Sequence, residues 1–239
     1  MSTLHFPGAV GITHLRVYDS ETSDGLHGGS PHVHLVSSEA YIPTAGTGEV
    51  QTLTRGGLRT FPLEPGSIVW FEPGVIHRLV NFSGDLELLV IMQNTGLPEA
   101  GDAVFTFPTR IMDSTDRYDS SAQLAEGSMD ARIEAARIRR DLAIEGFMNL
   151  VKSDNLPHTV EQFLNQAVSL RRPKFERWVK LLQQGPEREC RLAQQRIESM
   201  KDGQINTLTD ARIALSEGND HQTVVGMCGL LRQYHPMEG

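Results

Sequence analysis

His32, His34, Glu39 and His77 are the residues whose types and spacing most openly offer chemistry. They sit in two glycine-punctuated blocks, G-S-P-H-V-H-L-V-S-S-E-A-Y-I-P-T-A-G over 29–46 and G-S-I-V-W-F-E-P-G-V-I-H-R-L-V-N over 66–81. Three imidazoles and one carboxylate make a ligand set for one divalent transition metal: Fe, Mn, Ni, Co or Zn. An octahedral ion held this way keeps two cis positions open for other molecules. Both cysteines, Cys190 and Cys228, lie in the back half, so a thiolate-bound structural zinc is not expected here.

The elements that must position these groups are strands. His32 and His34 are two apart in an apolar, β-favouring run, so alternation turns both rings to one face. Glu39 follows His34 by five residues and breaks that parity. Ser37 and Ser38 therefore read as a bend, with Glu39 opening the next strand, 39–45. Pro73-Gly74 is a turn signal ahead of a strand beginning at His77. Further strands are expected at 11–18, 32–36, 49–54, 58–62, 67–71 and 86–93, with a covering strand at 104–108. About eight short strands suffice to close a double-stranded β-helix or jelly roll.

Residues 29–81 resemble the two signature blocks of the cupin superfamily. The first family block is H-x-H, three or four residues, Glu, six more and Gly; His32, His34, Glu39 and Gly46 match it. The second runs Gly, five residues, Pro-x-Gly, two residues, His, three residues and Asn; Gly66, Gly74, His77 and Asn81 match it. Two positions depart from the pattern. The family proline falls on Glu72, with Pro73 displaced by one, and Leu26 stands where the first block should open on Gly. The resemblance covers about the first 110 residues and implies a β-barrel with a metal site. It implies little about reaction, because one fold hosts many chemistries.

Such a site can act in two main ways. A redox metal of the Fe(II) type can bring substrate and O₂ together, which is a dioxygenase. A Lewis acid can polarise a carbonyl or hold an enediolate, which is a sugar or keto-acid isomerase or epimerase. The second route needs a proton shuttle. Tyr41 and Glu72 are the catalytic candidates, and His27, Arg78 and Gln93 the substrate-binding ones. Tyr41 lies two residues after Glu39 and so faces inward, where it also reads as a packed aromatic. Glu72 also reads as a rim carboxylate, and His27 as a solvated loop residue. The run H-R-L-V-N over 77–81, followed by L-E and Gln93, is similar to the second block of type II phosphomannose isomerases. The third class is a non-catalytic barrel that binds a small ligand and signals through a helical domain in the back half of the chain.

Charge is uneven along the 239 residues. Residues 1–120 hold 6 Arg, no Lys and 14 Asp+Glu, whereas residues 121–239 hold 16 Lys+Arg and 16 Asp+Glu. The whole net charge of −8 therefore lies on the ligand-bearing half. An acidic barrel is a poor partner for nucleic acid or an anionic membrane, and it disfavours polyphosphorylated substrates unless Arg78 anchors them. No apolar run is long enough to span a membrane. The N-terminus shows no signal peptide, and the two cysteines suggest no disulfide, so a reducing cytoplasm is expected.

The organisation expected is a barrel over 1–110, a polar linker over 111–127 and an all-α domain over 128–239. From Ser128 the period becomes helical, with Met129, Ile133, Ala136, Ile144, Phe147 and Val151 on one face. Thr159 and Gln162 suggest a capping box. Pro173 and Pro186 open further helices, and 210–215 and 221–234 give two more, the last turning Val224, Cys228, Leu231 and Tyr234 inward. Both cysteines read as helix core. R-I-R-R over 137–140 reads as a solvated helix face, and His158, His221 and His235 as surface or cap residues. The helical half is a candidate cap over the barrel mouth, a candidate homodimer interface, or a docking unit.

Overall fold

The computed structural model describes residues 4–94, 96–216 and 223–234. The strands are β1 (Gly11–Val17), β2 (His32–His34), β3 (Glu39–Ala45), β4 (Gly48–Thr54), β5 (Gly57–Leu63), β6 (Val69–Phe71), β7 (Ile76–Asn81), β8 (Glu87–Met92) and β9 (Ala103–Phe105). Among the described residues seven α-helices follow: α1 (Thr109–Met112), α2 (Thr115–Ala122), α3 (Met129–Val151), α4 (Leu156–Arg171), α5 (Phe175–Gln184), α6 (Pro186–Lys201) and α7 (Asn206–Thr209). The described chain ends in two more strands, β10 (Val224–Val225) and β11 (Gly229–Tyr234).

The strands form two antiparallel sheets. One has the order β10-β11-β1-β8-β3-β6 and the other the order β5-β4-β7-β2-β9. Alternation along the strands sends one set of side chains between the sheets: Leu15, Val17, Tyr41, Val50, Leu79, Leu88, Val90 and Met92 are buried there. Val33, Leu53 and Ile76 point out of the second sheet and are covered by Phe147, Leu150, Phe163 and Ala167 of α3 and α4. The helices thus pack on the back of the sheet that carries the histidines.

Helix α3 starts where the sequence provides a cap: the Ser128 hydroxyl accepts from the Ala131 N–H at 3.3 Å. In mid-helix, Gly146 lets α3 press onto the segment after β9. A Cβ at Gly146 would stand 1.9 Å from the Thr106 carbonyl oxygen, which no side chain tolerates.

Several expectations about the back half are corrected. Residues 111–127, expected as a linker, contain α2, and its Tyr118 is fully buried with its hydroxyl accepting from the Phe105 N–H at 2.9 Å. The Thr159–Gln162 pair lies inside α4, which begins at Leu156. Residues 211–216 have no regular structure. The helix expected over 221–234 is a β-hairpin where the chain is described, and β11 pairs antiparallel with β1. Its two β-branched valines and the glycines at 226 and 229 disfavour a helix, and the open edge of β1 supplies the hydrogen bonds that make a strand. Cys190 is exposed, and Cys228 is buried in this hairpin rather than in a helix. Arg139 and Arg140, read as solvated, are buried. Arg140 donates to the carbonyls of Ser20, Glu21 and Gly28, and Arg139 to those of Ala122 and Gly226. His158 is exposed; His221 and His235 lie outside the described residues.

Candidate metal centre and its cavity

His32 and His77 are direct antiparallel partners on β2 and β7, so their rings meet on the inner face of the second sheet, 4.3 Å between centroids. His34 shares that face by alternation. Glu39 comes from β3 of the opposite sheet. The turn before β7 is held in place by the Gly74 N–H, which donates to the His34 carbonyl at 2.8 Å. Gly74 has φ +88°, a conformation open to glycine and strained for other residues.

All four side chains are buried, and one donor atom from each lies within 4.8 Å of the others. Glu39 Oε2 is 3.1 Å from His77 Nε2 and 3.4 Å from His34 Nε2. Ligand atoms each about 2.1 Å from one ion stand about 3 Å apart, so this spacing suits a shared metal. The outward ring nitrogens support the same fit. His32 Nδ1 meets the Ser30 carbonyl at 2.9 Å, His77 Nδ1 the Val75 carbonyl at 3.0 Å and His34 Nδ1 the Asp102 carboxylate at 3.2 Å. A carbonyl or carboxylate oxygen can only accept, so each Nδ1 carries the proton and each Nε2 is aimed at the centre. Glu39 Oε2 and His77 Nε2 are buried without an aligned hydrogen-bond partner. Orphaned acceptors of this kind are costly unless a cation meets them. The cluster therefore could hold a metal ion.

Electrostatics follow from this crowding. Burial works against charge on His32, and the neighbouring His77 and His34 add to it, so its pKa lies well below the usual imidazole value. Burial also opposes charge on His34, but Asp102 and Glu39 outweigh it and push its pKa up to about 9. For Glu39 burial is again the opposing effect; the His34 and His77 imidazoles beside it hold its carboxyl well below the usual range.

Asp102 was not singled out by the sequence. It is fully buried, and besides His34 it accepts from the backbone N–H groups of Leu35, Val36 and Ser37 at 2.9, 2.7 and 3.2 Å. An acidic residue just ahead of a strand, in an otherwise Gly- and Pro-marked loop, was the available signal. Its partner lies 68 residues away in sequence, which no local pattern reports.

A cavity of about 250 Å³ opens beside the cluster. His32, His34, Glu39 and Tyr41 line it, with Leu15, Val90 and Met92 from the first sheet and Met227, Cys228 and Leu231 from the terminal hairpin. The Tyr41 hydroxyl is buried without a partner, and burial keeps it protonated far beyond neutral pH. The other sequence candidates fall elsewhere. Glu72 and His27 are exposed and off the cavity wall, and His27 Nδ1 meets the Asp19 carbonyl. Gln93 is exposed, and its side-chain oxygen accepts from the Ser38 N–H at 3.2 Å. Arg78 alternates with His77 to the opposite face of the sheet, where it donates to Gln51 and Asp24, both at 2.7 Å, beneath Phe147.

Comparison with family models and with curated proteins finds no match. Solved structures give partial matches. TDP-fucose-3,4-ketoisomerase from Campylobacter jejuni is similar over 33% of this chain and 57% of its own, at 21% identity and TM-score 0.27. Oxalate decarboxylase from Bacillus subtilis is similar over 35% and 20%, at 15% identity and TM-score 0.31. Drosophila melanogaster CENP-C bound to CAL1 is similar over 34% and 58%, at 17% identity and TM-score 0.28. The chain thus spans less than two thirds of the length of each of these. No described helix is long and apolar enough to cross a membrane.

Proposed function

We propose that this chain is a metal-dependent enzyme of the cupin type acting on a small organic molecule, with His32, His34, Glu39 and His77 holding one divalent transition metal. The observation that carries this reading is the set of three outward-held Nδ1 atoms, which leaves three Nε2 atoms and one carboxylate oxygen converging on a buried point. A jelly-roll barrel is the architecture we infer. The sheet orders support it: β1-β8-β3-β6 in one sheet and β2-β7-β4-β5 in the other are the two halves of such a roll.

Dioxygenase chemistry is the reaction type we favour. When bound, a redox metal supplies the site where substrate and O₂ meet. Moving a proton between substrate carbons, as an isomerase must, needs a base at the reacting atoms. Of the shuttle candidates Tyr41 lines the cavity, where burial keeps its hydroxyl protonated and makes it a hydrogen-bond donor rather than a base, and the wall's carboxylate outside the ligand set, Glu99, is exposed to solvent. The largely apolar wall suits a hydrocarbon-rich substrate better than a sugar. The sugar isomerase and the non-catalytic binder are the alternatives.

Elemental analysis on protein purified without an affinity metal column tests the site. We expect about one transition metal per chain in the wild type and loss of it in His32→Ala/His77→Ala. Anaerobic loading with Fe(II), followed by oxygen-uptake assays on a panel of small organic molecules, tests the reaction. Metal binding retained in the variant would overturn the ligand set. Isomerisation by a zinc- or manganese-loaded protein, without oxygen uptake by the iron form, would overturn the dioxygenase reading.

A further inference from the structure

The charge pattern of the cavity rim bears on the substrate class, an inference that rests on the proposed metal-enzyme reading. Away from the ligands, the inner wall is apolar: Leu15, Val90, Met92, Met227 and Leu231. The remaining wall includes Thr13, Glu99 and Gln233. Among the described residues no Arg or Lys lines the cavity. Glu99 is an exposed residue, and one of its oxygens accepts from Gln233 Nε2 at 3.1 Å. Gln233 is itself fixed by the pairing of β11 with β1, opposite Thr13. Lys174 lies close to Gly101 but does not line the cavity.

We infer that the cavity selects a compact apolar molecule with a cationic, amine-type tail, and that Glu99 determines this specificity. Three observations combine. The cavity, at about 250 Å³, is small beside the sites that enclose drug-sized ligands, which favours a compact molecule. Its wall offers hydrophobic contact between the metal-binding end and the rim. Among the described residues, Glu99 is the one charged side chain on the wall outside the proposed ligand set, on a half of the chain whose net charge is −8. At the rim, away from the ligand set, a phosphate or carboxylate tail would meet this carboxylate with no Arg or Lys on the described wall to offset it.

Three phenols of similar size test this by calorimetric titration: tyramine with a cationic tail, 4-methylphenol with a neutral one and 4-hydroxyphenylacetate with an anionic one. Zinc-loaded protein is used so that no turnover occurs. We expect tyramine to bind about fivefold more tightly than 4-methylphenol, the order of a solvent-screened ion pair, and the anion to bind weakest. Glu99→Gln should remove the tyramine advantage, and Glu99→Lys should reverse the order of tyramine and the anion. Equal affinities, preference for the anion, or no binding by any of the three would overturn the inference. The same titration on EDTA-treated wild type separates the two readings. Failure to take up zinc counts against the metal site, while the charge order in metal-free protein still tests Glu99.

Discussion

The two sheets present the same kind of inner face and very different outer faces. Between them, strand alternation places His32, His34 and His77 on one side and Glu39 and Tyr41 on the other. Behind the histidine-bearing sheet, Val33, Leu53 and Ile76 are sealed under α3 and α4. Behind the other sheet, a cross-strand row of Trp70, Ala40, Ile91, Ile12 and Tyr234 carries no described helix, and Trp70 is 73% exposed. The difference teaches where rigidity is invested. Three of the four converging groups stand on the sheet that is packed on both sides, and interior packing is what resists displacement of side chains by an ångström.

The largest break of this comparison comes from Phe147→Ala. Phe147 is buried against the back of the histidine sheet, and its removal should cost about 3–5 kcal/mol in urea unfolding. A loss below 1 kcal/mol would show that α3 does not brace the sheet. Next is Asp102→Asn. The new amide would turn N–H groups toward His34 Nδ1–H or the backbone donors, so His34 loses its orientation. We expect metal affinity to fall about 10–100-fold in competition titrations with a chelator, and an unchanged affinity would remove Asp102 from the site.

Tyr18 sharpens the comparison at the first sheet's own brace. Its hydroxyl donates to the Gly226 carbonyl at 3.1 Å and so ties the terminal hairpin to β1. Burial, partly offset by Arg139, raises its pKa to about 12 from 10. The neutral form is thus favoured by folding, so this stabilisation is full below pH 10 and is lost as pH rises from 10 through 12. Between pH 9 and pH 12, wild type should lose about 2 kcal/mol more stability than Tyr18→Phe; equal losses would exclude Tyr18 as the cause. The smallest effect is expected for Trp70→Ser, within about 0.5 kcal/mol in dilute protein. A cost comparable to Phe147→Ala would mean that this face is covered in solution and that the contrast between the sheets fails.

Much of the two-sheet fold was legible because its signals are local. Strand starts at Gly11, His32 and Glu39 follow from alternation and from glycine, serine and proline breaks, and they agree with the observed elements. The inward setting of Tyr41 follows from its two-residue offset from Glu39. The terminal hairpin is not legible locally because Val224, Cys228, Leu231 and Tyr234 also fit a helical stripe, and short apolar runs fit either period. The burial of Arg139 and Arg140 is not legible either, because charge predicts exposure unless backbone carbonyls, here as far as 120 residues away in the chain, are brought to meet it. Arg78 differs for a related reason. Its parity with His77 already pointed it away from the site, but only the packed Asp24, Gln51 and Phe147 show what it does there.

The sequence by itself determined which donor groups could meet, because residue type and the two-residue period of a strand decide which side chains share a face. Tertiary structure alone decided what surrounds them. It brought Asp102 behind His34, turned a carboxylate at position 99 to the rim, and closed the cavity with residues 226–233 from the far end of the chain. Those choices depend on burying apolar surface and satisfying backbone hydrogen bonds across long sequence separations, and neither demand leaves a local mark.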